Sequence, residues 1–208
     1  MEHKVVVVGI GPGNPDYIAP IAKRYIDSAK TLVGSVRALQ TFGDNAIHTQ
    51  KITGDIKASI DFIREHAAYE EVVVMVSGDP GYYSLLAALR EQFDAKALLV
   101  IPGISSFQLA FARLALPWQN ARLLSLHGRS VESQDLSYEK GAVLGILTDT
   151  IHTSKTIAVL LQKAGWPKDT RLHVCTKLSY EDEEVIELTL EKAADGPVIT
   201  HCIMVVEG

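Results

Sequence analysis

Val5-Val6-Val7-Val8-Gly9-Ile10-Gly11-Pro12-Gly13 is the stretch whose reading decides the fold. Four consecutive β-branched residues ending in glycine suit a strand buried on both faces of a parallel sheet. The glycines after it let the backbone turn tightly and approach a neighbour or ligand without side-chain interference. Working outward, helical spacing over residues 18–29 leads to a short strand at 31–33, a helix at 56–66 and a second apolar β-branched run, Val72–Val76. A helix is expected over 82–93, with Leu85, Leu86, Leu89 and Phe93 on one face, then a strand at 97–101 and a helix from Ser106. Strand, helix, strand in this order is the pattern of crossover units in an α/β fold.

Leu116-Pro117-Trp118 reads as a helix-stopping turn. The expected organisation is an N-terminal α/β lobe over 1–115 and a C-terminal α/β lobe over 120–208. Beyond the turn, strands are expected at 122–126, 142–148, Arg171–Thr176, Glu184–Thr189 and 199–206, with one clear helix, Ser154–Lys163. Few helical crossovers for that many strands imply antiparallel pairing, hence a mostly parallel first sheet and a mixed second one.

Of the 208 residues 47% are hydrophobic and 22% charged, a globular composition. The net charge of -5 comes with acidic and basic residues interleaved, so the basic stripe that nucleic-acid backbones require is missing. No apolar run approaches the roughly 20 residues that span a bilayer, and no signal-peptide organisation precedes Val5. A cytoplasmic protein with no membrane partner is the expectation. Cys175 and Cys202 lack metal-ligand spacing and sit among apolar residues, so buried free thiols and no metal site are expected.

Three glycine-bearing motifs end strands of the first half. Gly9-Ile10-Gly11-Pro12-Gly13 has Asn14 where a dinucleotide-binding turn has glycine, no acid follows the second strand, and Pro12 withholds a backbone donor, so a nicotinamide cofactor is disfavoured. Ser77-Gly78-Asp79-Pro80-Gly81 has two readings: Asp79 as a plain helix N-cap, or as a carboxylate facing a ligand. Ile101-Pro102-Gly103-Ile104-Ser105-Ser106 offers two hydroxyls, of which capping explains one. Parallel strands present all three motifs at one sheet edge, where open α/β sheets bind ligands. In the second half Leu126-His127-Gly128-Arg129 ends a strand candidate; a lone loop histidine is commonly just hydrogen-bonded, yet the arginine beside it can grip a carboxylate bidentately. Glu181-Asp182-Glu183-Glu184 reads as a solvated turn.

The ordered set GIGPG (9–13), SGDPGYYS (77–84), IPGISS (101–106) and LPWQNARLLSLHGR (116–129) resembles the tetrapyrrole methylase family over essentially the whole chain. Within it, the stretch 102–129 is most similar to the branch that methylates carbon 5 of a cobalt-precorrin on the way to cobalamin. The resemblance implies S-adenosylmethionine (SAM) as cofactor, with S-adenosylhomocysteine as product. It implies cofactor contacts from Gly11 and Pro12, from Gly78, Asp79 and Tyr82, from Ile104, Ser105 and Ser106, and from Leu147, Thr148, Leu178 and Thr200. Tetrapyrrole carboxylates would meet His127 and Arg129, with Arg113 and Arg122 as further candidates. His127 is also the candidate proton acceptor, since imidazole titrates near neutrality. A homodimer, and a separate C15-methylating decarboxylase as functional partner, are further expectations. Rival readings are a relative acting on another tetrapyrrole carbon, on diphthamide or on ribosomal RNA, and a non-catalytic SAM or nucleotide sensor.

Overall fold

A computed structural model describes residues 4–126 and 136–208. The chain divides into two compact units, Met1–Ser105 and Ser106–Gly208.

The first unit alternates strands and helices: β1 (Val5–Gly9), α1 (Pro20–Ser28), β2 (Thr31–Gly34), α2 (Val36–Phe42), β3 (His48–Lys51), α3 (Ile56–Ala67), β4 (Val72–Val76), α4 (Leu86–Gln92) and β5 (Leu98–Ile101). Its sheet runs β3-β2-β4-β1-β5, every pair parallel. β1 lies inside the sheet, between β4 and β5, and all five of its residues are buried, as the valine run requires. Val6 and Val8 pack on Ala22 and Ile26 of α1 and Ala38 of α2, whereas Val5 and Val7 pack with Ile60 and Ile63 of α3 and Leu89 of α4. The covering helices therefore change face between the connections leaving β1 and those leaving β4, which are neighbours in the sheet. An open sheet binds ligands outside the strand ends at such a switch.

Two expectations for this unit need correction. The segment 82–85 is not helical: Tyr83 has φ 47°, and the Ser84 hydroxyl accepts the Leu86 N–H at 3.1 Å, so α4 starts only at Leu86. The helix expected from residue 18 starts at Pro20, after a 3-10 turn, Pro15–Tyr17, capped by Asn14 accepting the Asp16 N–H at 2.9 Å.

The second unit comprises α5 (Ser106–Arg113), β6 (Arg122–Ser125), β7 (Val143–Leu147), α6 (Ser154–Lys163), β8 (Arg171–Thr176), β9 (Glu184–Thr189), α7 (Leu190–Asp195) and β10 (Ile203–Glu207). Its sheet, β6-β7-β10-β8-β9, is mixed: β6 and β7 are parallel and the other pairs antiparallel. One face buries Leu144, Ile146, Leu172, Val174, Met204 and Val206 under Ile157 and Leu161 of α6 and Leu190 of α7. α5 belongs to this unit, so the division falls at 105/106 and not in the turn at 115–120. Phe107 lies so close to β7 that a Cβ on Gly145 would stand 3.0 Å from its ring. The last strand begins at Ile203, later than expected, because His201 at φ 52° breaks extended backbone.

Candidate active site

The three strand-end loops of the first unit are built on each other. A Cβ on Gly9 would lie 2.5 Å from the Gly78 carbonyl oxygen and 2.6 Å from the Gly103 nitrogen, a separation at which backbone must shift. A Cβ on Gly103 would overlap the Gly78 carbonyl oxygen and come within 2.8 Å of the Gly9 Cα. The Gly78 N–H donates to the Gly11 carbonyl at 2.8 Å, and both glycines hold left-handed φ values, 75° for Gly11 and 69° for Gly78. Glycine is needed here for mutual approach of backbones as much as for turning.

Asp79 secures this junction. Its Oδ1 accepts the Gly81 N–H at 2.7 Å and its Oδ2 accepts the Gly103 N–H at 3.1 Å, tying the β4 loop to the β5 loop. It caps no helix, since α4 starts seven residues later. The neighbouring Tyr82 is half-buried, and burial, with Tyr83 beside it, pushes its phenol up to about 12, so the O–H keeps its proton at neutral pH. The rings of Tyr82 and Tyr83 meet edge to face, 4.6 Å apart.

Among the recesses of this unit are two lined by described residues. One of about 380 Å³ lies between 16–19 and Pro102, Gly103 and Ile104; its walls are largely apolar or backbone, as nucleoside pockets require. Ile104 is exposed there, while Ser105 and Ser106 are half-buried at the start of α5. Pro12 is also half-buried, between Gly11 and Gly13. The other recess, about 560 Å³, is floored by Met75 and Val76 and rimmed by Ser35, Ser77 and Ser84.

The second-unit candidates present themselves differently. Leu147 ends β7, half-buried. Thr148 is buried, its hydroxyl accepts the Cys202 N–H at 2.8 Å beside the Cys202 sulfur at 3.3 Å, and its own N–H donates to the Cys202 carbonyl at 3.1 Å. Leu178 is buried and Thr200 exposed. Arg113 grips the Glu183 carboxylate, and Arg122 donates to the Ser137 carbonyl at 2.7 Å, so both guanidinium groups have protein partners. His127 and Arg129 lie outside the described residues. Among the described residues no group of three or more His, Cys, Asp or Glu could hold a metal ion, and no helix is long and apolar enough to cross a membrane.

Sequence reasoning missed the Asp79–Gly103 strap, the Arg113–Glu183 pair and the buried Asp149, whose Oδ1 accepts the N–H groups of Ile151 at 2.7 Å and His152 at 2.5 Å. The acid two residues before its partner in Asp149-Thr150-Ile151 was a readable turn signal; the strap and the ion pair had none.

A parallel sheet whose glycine-lined strand ends interlock at the point where its helices change face, followed by a unit with a mixed sheet, is the architecture of one methyltransferase class. The model of the Tetrapyrrole (Corrin/Porphyrin) Methylases matches residues 4–194, and the chain belongs to that family. It is thus an enzyme of methyl transfer. Among its relatives is the probable cobalt-precorrin-7 C(5)-methyltransferase of Methanocaldococcus jannaschii, 30% identical over 98% of either chain. The precorrin-6Y C(5,15)-methyltransferase [decarboxylating] of Sinorhizobium is 27% identical, with 87% of this chain matching 44% of that longer protein. The solved structure of a cobalamin-biosynthesis precorrin-6Y methylase from Archaeoglobus fulgidus superposes with a TM-score of 0.73 at 25% identity, covering 98% of this chain and 96% of that one.

Proposed function

We propose that this chain transfers a methyl group from SAM to carbon 5 of a cobalt-precorrin, converting cobalt-precorrin-6B to cobalt-precorrin-7 in cobalamin biosynthesis. The observation that carries the reading is the likeness, over 98% of either chain, to a probable C(5)-methyltransferase. The interlocked loops fit the cofactor: a recess of nucleoside dimensions lies against Pro102–Ile104, and the Asp79 carboxylate accepts the Gly103 N–H of that wall.

SAM supplies a methyl group already activated on a sulfonium, so the protein's part is orientation and exclusion of water, worth several kcal/mol when the reacting atoms are held in line. Asp79 fixes the two loops that carry Gly78, Tyr82 and Ile104–Ser106. Leu147, Thr148, Leu178 and Thr200 add backbone contacts from the second unit. His127 and Arg129 receive the carboxylates of the tetrapyrrole, and His127 accepts the proton released from carbon 5. The enzyme works in the cytoplasm as a homodimer, and a separate C15-methylating decarboxylase acts on the same pathway.

The deciding experiment is an anaerobic incubation with cobalt-precorrin-6B and carbon-13-labelled SAM, scored by mass and by the position of the labelled methyl. One methyl at carbon 5 is expected; methylation at another carbon moves the chain to another branch. Calorimetry adds a check on the cofactor: SAM and S-adenosylhomocysteine bind and NAD does not.

A further inference from the structure

Arg113 closes α5, and the loop 177–183 joins β8 to β9. Lys177 at φ 48° and Ser179 at φ 76° hold left-handed backbone, which residues with a Cβ keep only where their surroundings impose it. At Ser179 the Glu183 side chain supports this conformation, its Oε2 accepting the Ser179 N–H at 2.6 Å. Arg113 holds that carboxylate at two points, Nε to Oε1 and Nη2 to Oε2, the latter at 3.2 Å. Inside the loop the Tyr180 N–H donates to the Lys177 carbonyl at 3.0 Å and the Glu183 N–H to the Tyr180 carbonyl at 3.1 Å. Leu178, the residue between the two left-handed positions, is buried.

We infer that Arg113 is a positioning residue: through Glu183 it fixes the 177–183 loop in the left-handed form that presents the Leu178 backbone to the methyl donor. This replaces the direct role toward substrate carboxylates that the sequence suggests for Arg113, and it rests on the reading that Leu178 lies at the SAM site. The two-point grip sets the rotation of the carboxylate so that Oε2 faces Ser179. A lysine offers one charged point and cannot set it, so Arg113→Lys is not conservative.

The test is a double-mutant cycle on the full chain with Arg113→Ala, Glu183→Gln and the pair, reading SAM affinity by calorimetry, the KM for the tetrapyrrole, and amide exchange over 177–183. Each single change is expected to weaken SAM binding about five- to thirty-fold, with the pair no worse than either alone and Arg113→Lys close to Arg113→Ala. The tetrapyrrole KM stays within about two-fold of wild type, and exchange over the loop accelerates. A rise in the tetrapyrrole KM for Arg113→Ala that Glu183→Gln does not share, or additive losses, overturns the inference. Unchanged loop exchange in both single variants overturns it as well, whatever the ligand data show. If both variants loosen the loop but keep wild-type SAM affinity, the clamp stands as a structural device and its link to the donor falls. Failure of the wild-type protein to bind SAM overturns instead the functional reading beneath it.

Discussion

At the residue scale, Gly103 and Asp79 make the same loop junction by opposite means. Gly103 contributes by lacking a side chain: its would-be Cβ falls on the Gly78 carbonyl oxygen and within 2.8 Å of Gly9. Those neighbours are backbone atoms that cannot swing away, so Gly103→Ala should abolish SAM binding and lower the melting temperature. Gly54→Ala, with nothing within 4 Å of the new methyl, should leave both unchanged, and a thermal melt with SAM titration compares them. Asp79 contributes two acceptor oxygens, and Asp79→Ala strands the N–H groups of Gly81 and Gly103. A cost of about 1–3 kcal/mol in urea unfolding is expected, together with a drop in SAM affinity. If stability falls and SAM affinity does not, Asp79 is a strap and nothing more. The two cysteines give the opposite kind of prediction. Burial pushes the Cys175 thiol up to about 12 and raises that of Cys202. Both should resist a maleimide at about pH 8 in the native protein and react after denaturation. A raised thiol pKa favours the folded state below the unfolded value of about 8.5, and that contribution is lost as pH rises through the folded value.

At the element scale, legibility followed burial. β1, β4, β8 and α6 could be read closely, because a strand buried on both faces or an amphipathic helix writes its period into the residues. β3, His48-Thr49-Gln50-Lys51, is an exposed edge strand with no apolar alternation, and α2 and α7 are too short to show a face. The glycine loops of the site were legible for the same reason that their chemistry works: few residues tolerate those turns. The Asp79–Gly103 strap, 24 residues apart, and the Arg113–Glu183 pair, 70 apart, were not, since pairing across such distances leaves no local pattern. The loop held by that pair carries its own pH dependence. Hydrogen bonding from Arg113, and from the Ser179 amide, lowers the Glu183 carboxyl below the usual carboxylate range. Its contribution is therefore complete above the unfolded carboxylate value and is lost as pH falls through the lower folded one. As pH falls below about 4, SAM affinity should fall in the wild-type protein and fall less in Glu183→Gln, which starts weaker. Parallel pH profiles for the two proteins would assign the fall to another carboxylate.

At the scale of the whole molecule, a net charge of -5 sets the terms for any polycarboxylate ligand. The general field repels it, so recognition has to come from local cations, and two arginines that the sequence offered are engaged elsewhere: Arg113 with Glu183 and Arg122 with the Ser137 carbonyl. That shifts weight to His127 and Arg129, whose assignment rests on Leu126-His127-Gly128-Arg129 as sequence. A charge-assisted contact from an arginine to a carboxylate is worth about 1.5–3 kcal/mol. Arg129→Ala should therefore raise the tetrapyrrole KM about ten- to a hundred-fold and leave SAM affinity near wild type. His127→Ala should lower turnover with a smaller effect on KM, as loss of a proton acceptor does when the methyl donor is already activated. Screening supplies an internal control, because salt weakens a contact between exposed charges within a Debye length of about 10 Å at 0.1 M. The wild-type KM should climb with ionic strength and that of Arg129→Ala should climb less. If steady-state kinetics with both substrates varied show the two variants indistinguishable from wild type at every salt concentration, the segment is structural, and the carboxylates of the substrate are met by other groups.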